Sequence, residues 1–171
     1  MSRVILINMI RFMALLFFQV FLLKNMGYYN LATPFLYILF IMLLPFGIPN
    51  WLLFVLAFIT GCTVDAFYDT AGVNAAACTV LAMVRVIFIS ITVQREGFDN
   101  EPEPNLAVMN FRWFFFYTFV LTIFHHTTLF LLETFNFDEI QYTITRILLS
   151  SAFTIVLILV YEFIFSTKKA R

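Results

Sequence analysis

The chain has 171 residues, of which 63% are hydrophobic, 19% aromatic and only 12% charged, with a mean hydropathy of +0.96. That makeup excludes an ordinary soluble domain and describes an integral membrane protein, a single unit over 1–171. Ten basic and ten acidic residues cancel, which gives no basis for nucleic-acid binding or a polybasic lipid sensor.

A spanning helix needs roughly 20 mainly apolar residues. In chain order, the expected spans are Val4 to Leu23, Pro34 to Leu44, Trp51 to Tyr68, Val73 to Val93, Trp113 to Leu132 and Thr143 to Ser166. The second is the shortest, with about 11 residues between Pro34 and Pro45. Arg11 interrupts the first, and no small-residue cleavage site follows it, so it reads as a retained helix. The longest connection, 94–112, is "QREGFDNEPEPNLAVMNFR"; its acidic Glu-Pro repeats predict an extended, exposed linker. The expected fold is therefore all-α, a polytopic transmembrane bundle of six helices.

Six spans place both termini on one side. Arg3, Arg95, Arg112, Lys168, Lys169 and Arg171 share that side, against Lys24 and Arg146 on the other, so the positive-inside rule predicts cytoplasmic termini. Trp51 and Trp113 then mark the inner boundary, and Tyr28, Tyr29 and Tyr142 the outer one.

Ionisable groups in hydrocarbon face protein or water. At about 100° per residue, polar residues form stripes: Asn8, Arg11 and Gln19 on the first span; Gly61, Asp65 and Tyr68 on the third; Asn74, Cys78 and Arg85 on the fourth. Thr118, Thr122, His125 and Glu133 line up on the fifth, and Thr143, Arg146, Ser150, Thr154 and Tyr161 on the sixth. The second span has no stripe, which places it at the lipid-facing edge. Depth suggests that Glu162 pairs with Arg11 or Arg85, and Asp65 with Arg146 or with Asn74 across the turn. Arg11 snorkelling to headgroups is the plainer alternative. Gly61, Gly72 and Ala75 to Ala77 allow the close backbone approach that helix packing in lipid uses.

Adjacent His125 and His126 point about 100° apart and cannot chelate one ion together, so no metal or cofactor is expected. Cys62 and Cys78 read as small residues at a helix interface. Ser150 or Ser151 with His125 is the one arrangement that suggests a hydrolase, and no nucleophile-elbow, H-E-x-x-H, P-loop or dinucleotide motif accompanies it, so the chain is expected not to be an enzyme.

The stretch 61–85, "GCTVDAFYDTAGVNAAACTVLAMVR", resembles the helical hairpin of the MreD family, the rod shape-determining membrane proteins of bacteria. The matching positions are Gly61, Asp65, Gly72, Asn74, Ala75 and Arg85. The motif covers about 25 residues; chain length, short loops and multi-span layout extend the likeness to the whole. The resemblance implies a fold like that of the S components of energy-coupling-factor transporters. It also implies a multi-pass protein of the bacterial cytoplasmic membrane, a non-catalytic scaffold binding MreC and linked through it to RodA, its transpeptidase partner and MreB. Gly61, Asp65, Gly72, Asn74 and Arg85 would be its structural or partner-ordering residues; Arg11, Arg146 and Glu162 are candidate buried charge partners on depth alone. The rival reading is a vitamin-transporter S component itself; its small-x-x-x-small face on the first helix is missing here, where Ala14 stands alone.

Overall fold

A computed structural model describes residues 2–24, 32–93, 103–134 and 140–166. Tyr28, Tyr29, Arg95, Lys168, Lys169, Arg171 and the acidic half of the 94–112 linker lie outside the described residues. Among the described residues six α-helices follow in order: α1 (Ser2–Phe17), α2 (Ile38–Met42), α3 (Asn50–Tyr68), α4 (Val73–Thr92), α5 (Phe111–Thr134) and α6 (Ile140–Phe165). α1 continues as a π-helical turn, Phe18–Leu23. Five of these are long and apolar enough to cross a membrane: Leu6–Leu23 and α3 to α6. The chain is a multi-pass membrane protein.

α3 to α6 pack each against the next in chain order, and the short connections from α3 to α4 and from α5 to α6 make those two pairs antiparallel hairpins. Gln19 bonds Tyr68 at 2.8 Å and Lys24 bonds the Phe67 carbonyl at 2.5 Å, so α1 and α3 end together. This is the hairpin end. At the opposite, terminal end, Arg11 meets Glu103 at 2.8 Å and Glu162 accepts the Leu106 N–H at 2.9 Å. The start of α1 and the close of α6 therefore lie at the same end of the bundle.

The second expected span is corrected. Only five of its residues are helical, and it is not at the lipid edge: Ile38, Leu39, Ile41 and Met42 are wholly buried. Residues 33–37 enter from the hairpin end without regular structure, α2 follows, and the chain emerges at Pro45 near the terminal end. Extended chain rises about 3.3 Å per residue against about 1.5 Å in a helix, which is how so short a segment traverses the bundle. Around it the core gathers Leu53, Ala57, Leu81, Phe114, Tyr117 and Phe130. Leu6, Met9, Ile10, Met13 and Phe21 on α1, and Val156, Val160, Phe163 and Ile164 on α6, point outward, as lipid-facing residues do.

Candidate functional site: a polar interior that holds the hairpin and the crossing segment

Non-helical backbone at membrane depth survives only when protein groups satisfy it. The polar stripes do this. Gln19, buried where the π turn swings it inward, accepts the Leu36 N–H at 2.8 Å through its carbonyl oxygen and donates to the Pro34 carbonyl at 3.0 Å. On α6, Ser150 accepts the Thr33 N–H and Thr154 the Phe35 N–H, each at 3.0 Å. Tyr117 donates to the Met42 carbonyl at 2.8 Å. Arg85 donates to the Leu44 carbonyl and, at 3.3 Å, to that of Pro45. Arg85, 2% exposed, thus meets carbonyl dipoles and, among the described residues, no acid. The expected Glu162–Arg85 pair does not form.

The hairpin between α3 and α4 is a second polar knot. Asp69 and Gly72 take left-handed backbone, at φ 56° and 84°, which turns the chain within four residues. Gly72 is the N-cap of α4 and has no side chain to offer. Asp65 caps the helix instead, from α3. Its Oδ1 accepts from the Asn74 N–H and the Asn74 amide at 3.0 Å each and from Thr70 Oγ1 at 2.5 Å; its Oδ2 accepts the Ala75 N–H at 2.9 Å. These are the orphan donors of a helix start, where negative charge is also favoured by the helix dipole. Of the two partners expected for Asp65, Asn74 is found and Arg146 is not. Gly61 lets the helices touch there: a Cβ on it would stand 2.3 Å from Ala75 Cα.

Asn74 joins the knot to the interior. Its Oδ1 accepts from Tyr37 Oη at 2.9 Å, and His125 Nε2 lies 3.0 Å from the same hydroxyl. Since that hydroxyl proton goes to Asn74, His125 Nε2 must donate, which leaves Nδ1 as a lone pair without a partner among the described residues. His126 bonds the Thr122 carbonyl through Nδ1 and Thr154 through Nε2. Most threonines outside this interior bond back to their own helix, as Thr60, Thr79 and Thr128 do; the buried Thr118 and Thr122 hydroxyls have no partner among the described residues.

The remaining expected charges divide between the two ends. Arg11 pairs with Glu103 and also bonds Asn8 at 3.2 Å; Glu162 is near enough to feel both Arg11 and Glu103, but its hydrogen bond goes to Leu106. Arg146 pairs with Glu133 at 3.2 Å and lies over the Phe130 ring. Cys78 is buried beside Tyr37, whereas Cys62 is exposed and so is not an interface residue. Ser150 is bound to Thr33 and His125 to Tyr37, so no serine–histidine couple forms among the described residues. Nor, among them, do three or more His, Cys, Asp or Glu side chains gather as a metal site would require.

The segment that sequence reasoning missed was signalled by Pro34 and Pro45, which bracket a run too short to span as a helix. Glu103 and Tyr37 gave no such signal: nothing local marks either as a partner. Compared with protein-family models, curated proteins and solved structures, the chain matches none.

Proposed function

We propose that this chain is a non-catalytic membrane scaffold of the MreD type. It would reside in the bacterial cytoplasmic membrane with its terminal end cytoplasmic, bind an MreC-like bitopic partner, and through it support lateral peptidoglycan synthesis and cell shape. What supports the reading is the use made of the residues that carry the resemblance. Gly61, Asp65, Gly72 and Asn74 lock α3 to α4, and Arg85 locks α4 to the crossing segment. A motif devoted to fixing the bundle suits a protein whose task is to present a rigid surface to another transmembrane helix.

The test is affinity purification of the tagged protein from its native membrane in mild detergent, with co-purifying proteins identified by mass spectrometry. An MreC-like coiled-coil protein with a peptidoglycan polymerase is the expected result. ABC-type ATPases with a small coupling protein would instead make the chain a transporter S component and overturn the scaffold reading.

A further inference from the structure

At the hairpin end a cavity of about 290 Å³ opens between the end of α1, the crossing segment, the α3–α4 turn and the facing ends of α5 and α6. Its polar walls include Lys24, Tyr68, Asn74, Glu133 and Arg146, and Phe35 is among its apolar ones. What decides its chemistry is which hydrogen-bonding capacity is already used.

Asn74 is consumed: its amide donates to Asp65 and Thr70 and its oxygen accepts from Tyr37. Three other groups keep donors in hand. The Lys24 ammonium has three N–H bonds; among the described residues one goes to the Phe67 carbonyl, and the ammonium lies 5.2 Å from the centre of the Tyr68 ring. Tyr68 Oη accepts from Gln19, and its own proton has no acceptor among the described residues. Arg146, its side chain only 12% exposed, reaches Glu133 through Nη2 alone among the described residues, which leaves Nη1 without a carboxylate there. Among the described residues that line the cavity, two cations face one carboxylate, itself 43% exposed; the Asp65 carboxylate behind Thr70 and Asn74 is taken up by those residues and by the N–H groups that open α4. A cavity with surplus donors and an excess positive charge is complementary to an anion, and guanidinium and ammonium together are the usual means of holding phosphate or carboxylate.

The geometry points to this cavity as a binding site for a small anionic group, phosphate or carboxylate, whose attached apolar portion lies against Phe35, Val73 and Leu129. The site is separate from the scaffold role. Such a group has two sources: the headgroup of an anionic phospholipid at the membrane surface, or a free soluble anion.

Native mass spectrometry of the full-length protein in a neutral detergent separates them, with phosphatidylglycerol, diacylglycerol and soluble glycerol phosphate as probes. A lipid source predicts retention of phosphatidylglycerol over diacylglycerol, with affinity falling about tenfold in Lys24→Gln and in Arg146→Gln, the loss of one charge-assisted hydrogen bond. A soluble source predicts that glycerol phosphate binds and raises the unfolding temperature, again weaker in both variants, with no preference between the lipids. Arg146→Gln also removes the Glu133 pair, so Lys24→Gln, at an exposed side chain, is the variant whose folding is not at issue. Equal binding of every probe by wild type and Lys24→Gln would overturn the site.

Discussion

Asp65 on α3 caps α4: its carboxylate accepts the backbone N–H of Ala75, ten residues on, at 2.9 Å. The cap is supplied across the hairpin because Gly72, needed for its left-handed turn, has no side chain to supply it.

Replacing Asp65 by Asn keeps the size and exchanges an acceptor for a donor that would face the N–H groups of Asn74 and Ala75. Loss of about 2 kcal/mol or more of stability is expected, the cost of charged hydrogen bonds broken in a buried setting. Denaturant unfolding in detergent, or abundance in the membrane, measures it; an unchanged midpoint would mean that the carboxylate is not the cap.

Gly61→Ala tests the close approach of the two arms. The added methyl meets Ala75 Cα at 2.3 Å and Asn74 O at 2.6 Å, both backbone atoms that cannot rotate away. Overpacking of this kind costs about 1–3 kcal/mol. Gly47→Ala is the control, since nothing lies within 4 Å of its Cβ position, and its thermal unfolding should match that of wild type.

Arg85 should tolerate Lys better than Met. Methionine leaves the Leu44 carbonyl without a donor among the described residues, at about 1–3 kcal/mol for a buried group, and leaves the Pro45 carbonyl only the Ile48 N–H at 3.4 Å, while an ammonium can still reach one of them. Limited proteolysis after Pro45 would report the release of the segment, and the ranking wild type, Lys, Met is expected. Equal resistance in all three would show that Arg85 does not anchor it.

The two cysteines provide a folding probe. Cys62 is exposed on a membrane-spanning helix and Cys78 is buried, so a small apolar organomercurial, which binds the un-ionised thiol, should modify Cys62 in the native protein and Cys78 only on unfolding. Equal modification of both under native conditions would contradict the packing of α4 against the crossing segment.

The sequence made the long helices legible because each carries an uninterrupted apolar run, and the stripes were legible because 100° spacing survives in a straight helix. The hairpin was also readable: Asp65, Gly72 and Asn74 are close in sequence, so their contact is nearly local. What was misread depends on distance along the chain. Residues 34–44 are apolar on every side because protein surrounds them, and composition alone cannot distinguish that burial from exposure to lipid. The stripes themselves looked like charge partners, whereas most of their groups are spent on main-chain atoms, as with Arg85 on Leu44, Gln19 on Leu36 and Thr154 on Phe35. Periodicity says which way a side chain points, not whether an acid or an unpaired carbonyl awaits it.

The central claim is that polar side chains from α1, α4, α5 and α6 satisfy the backbone of a segment crossing the bundle interior. Hydrogen–deuterium exchange at the amides of Thr33, Phe35 and Leu36 in the purified protein tests it most directly. Strong protection is predicted in wild type, with Thr154→Val exposing Phe35 and Gln19→Leu exposing Leu36. Exchange in wild type as fast as in a solvated loop, or protection unaffected by either substitution, would contradict it.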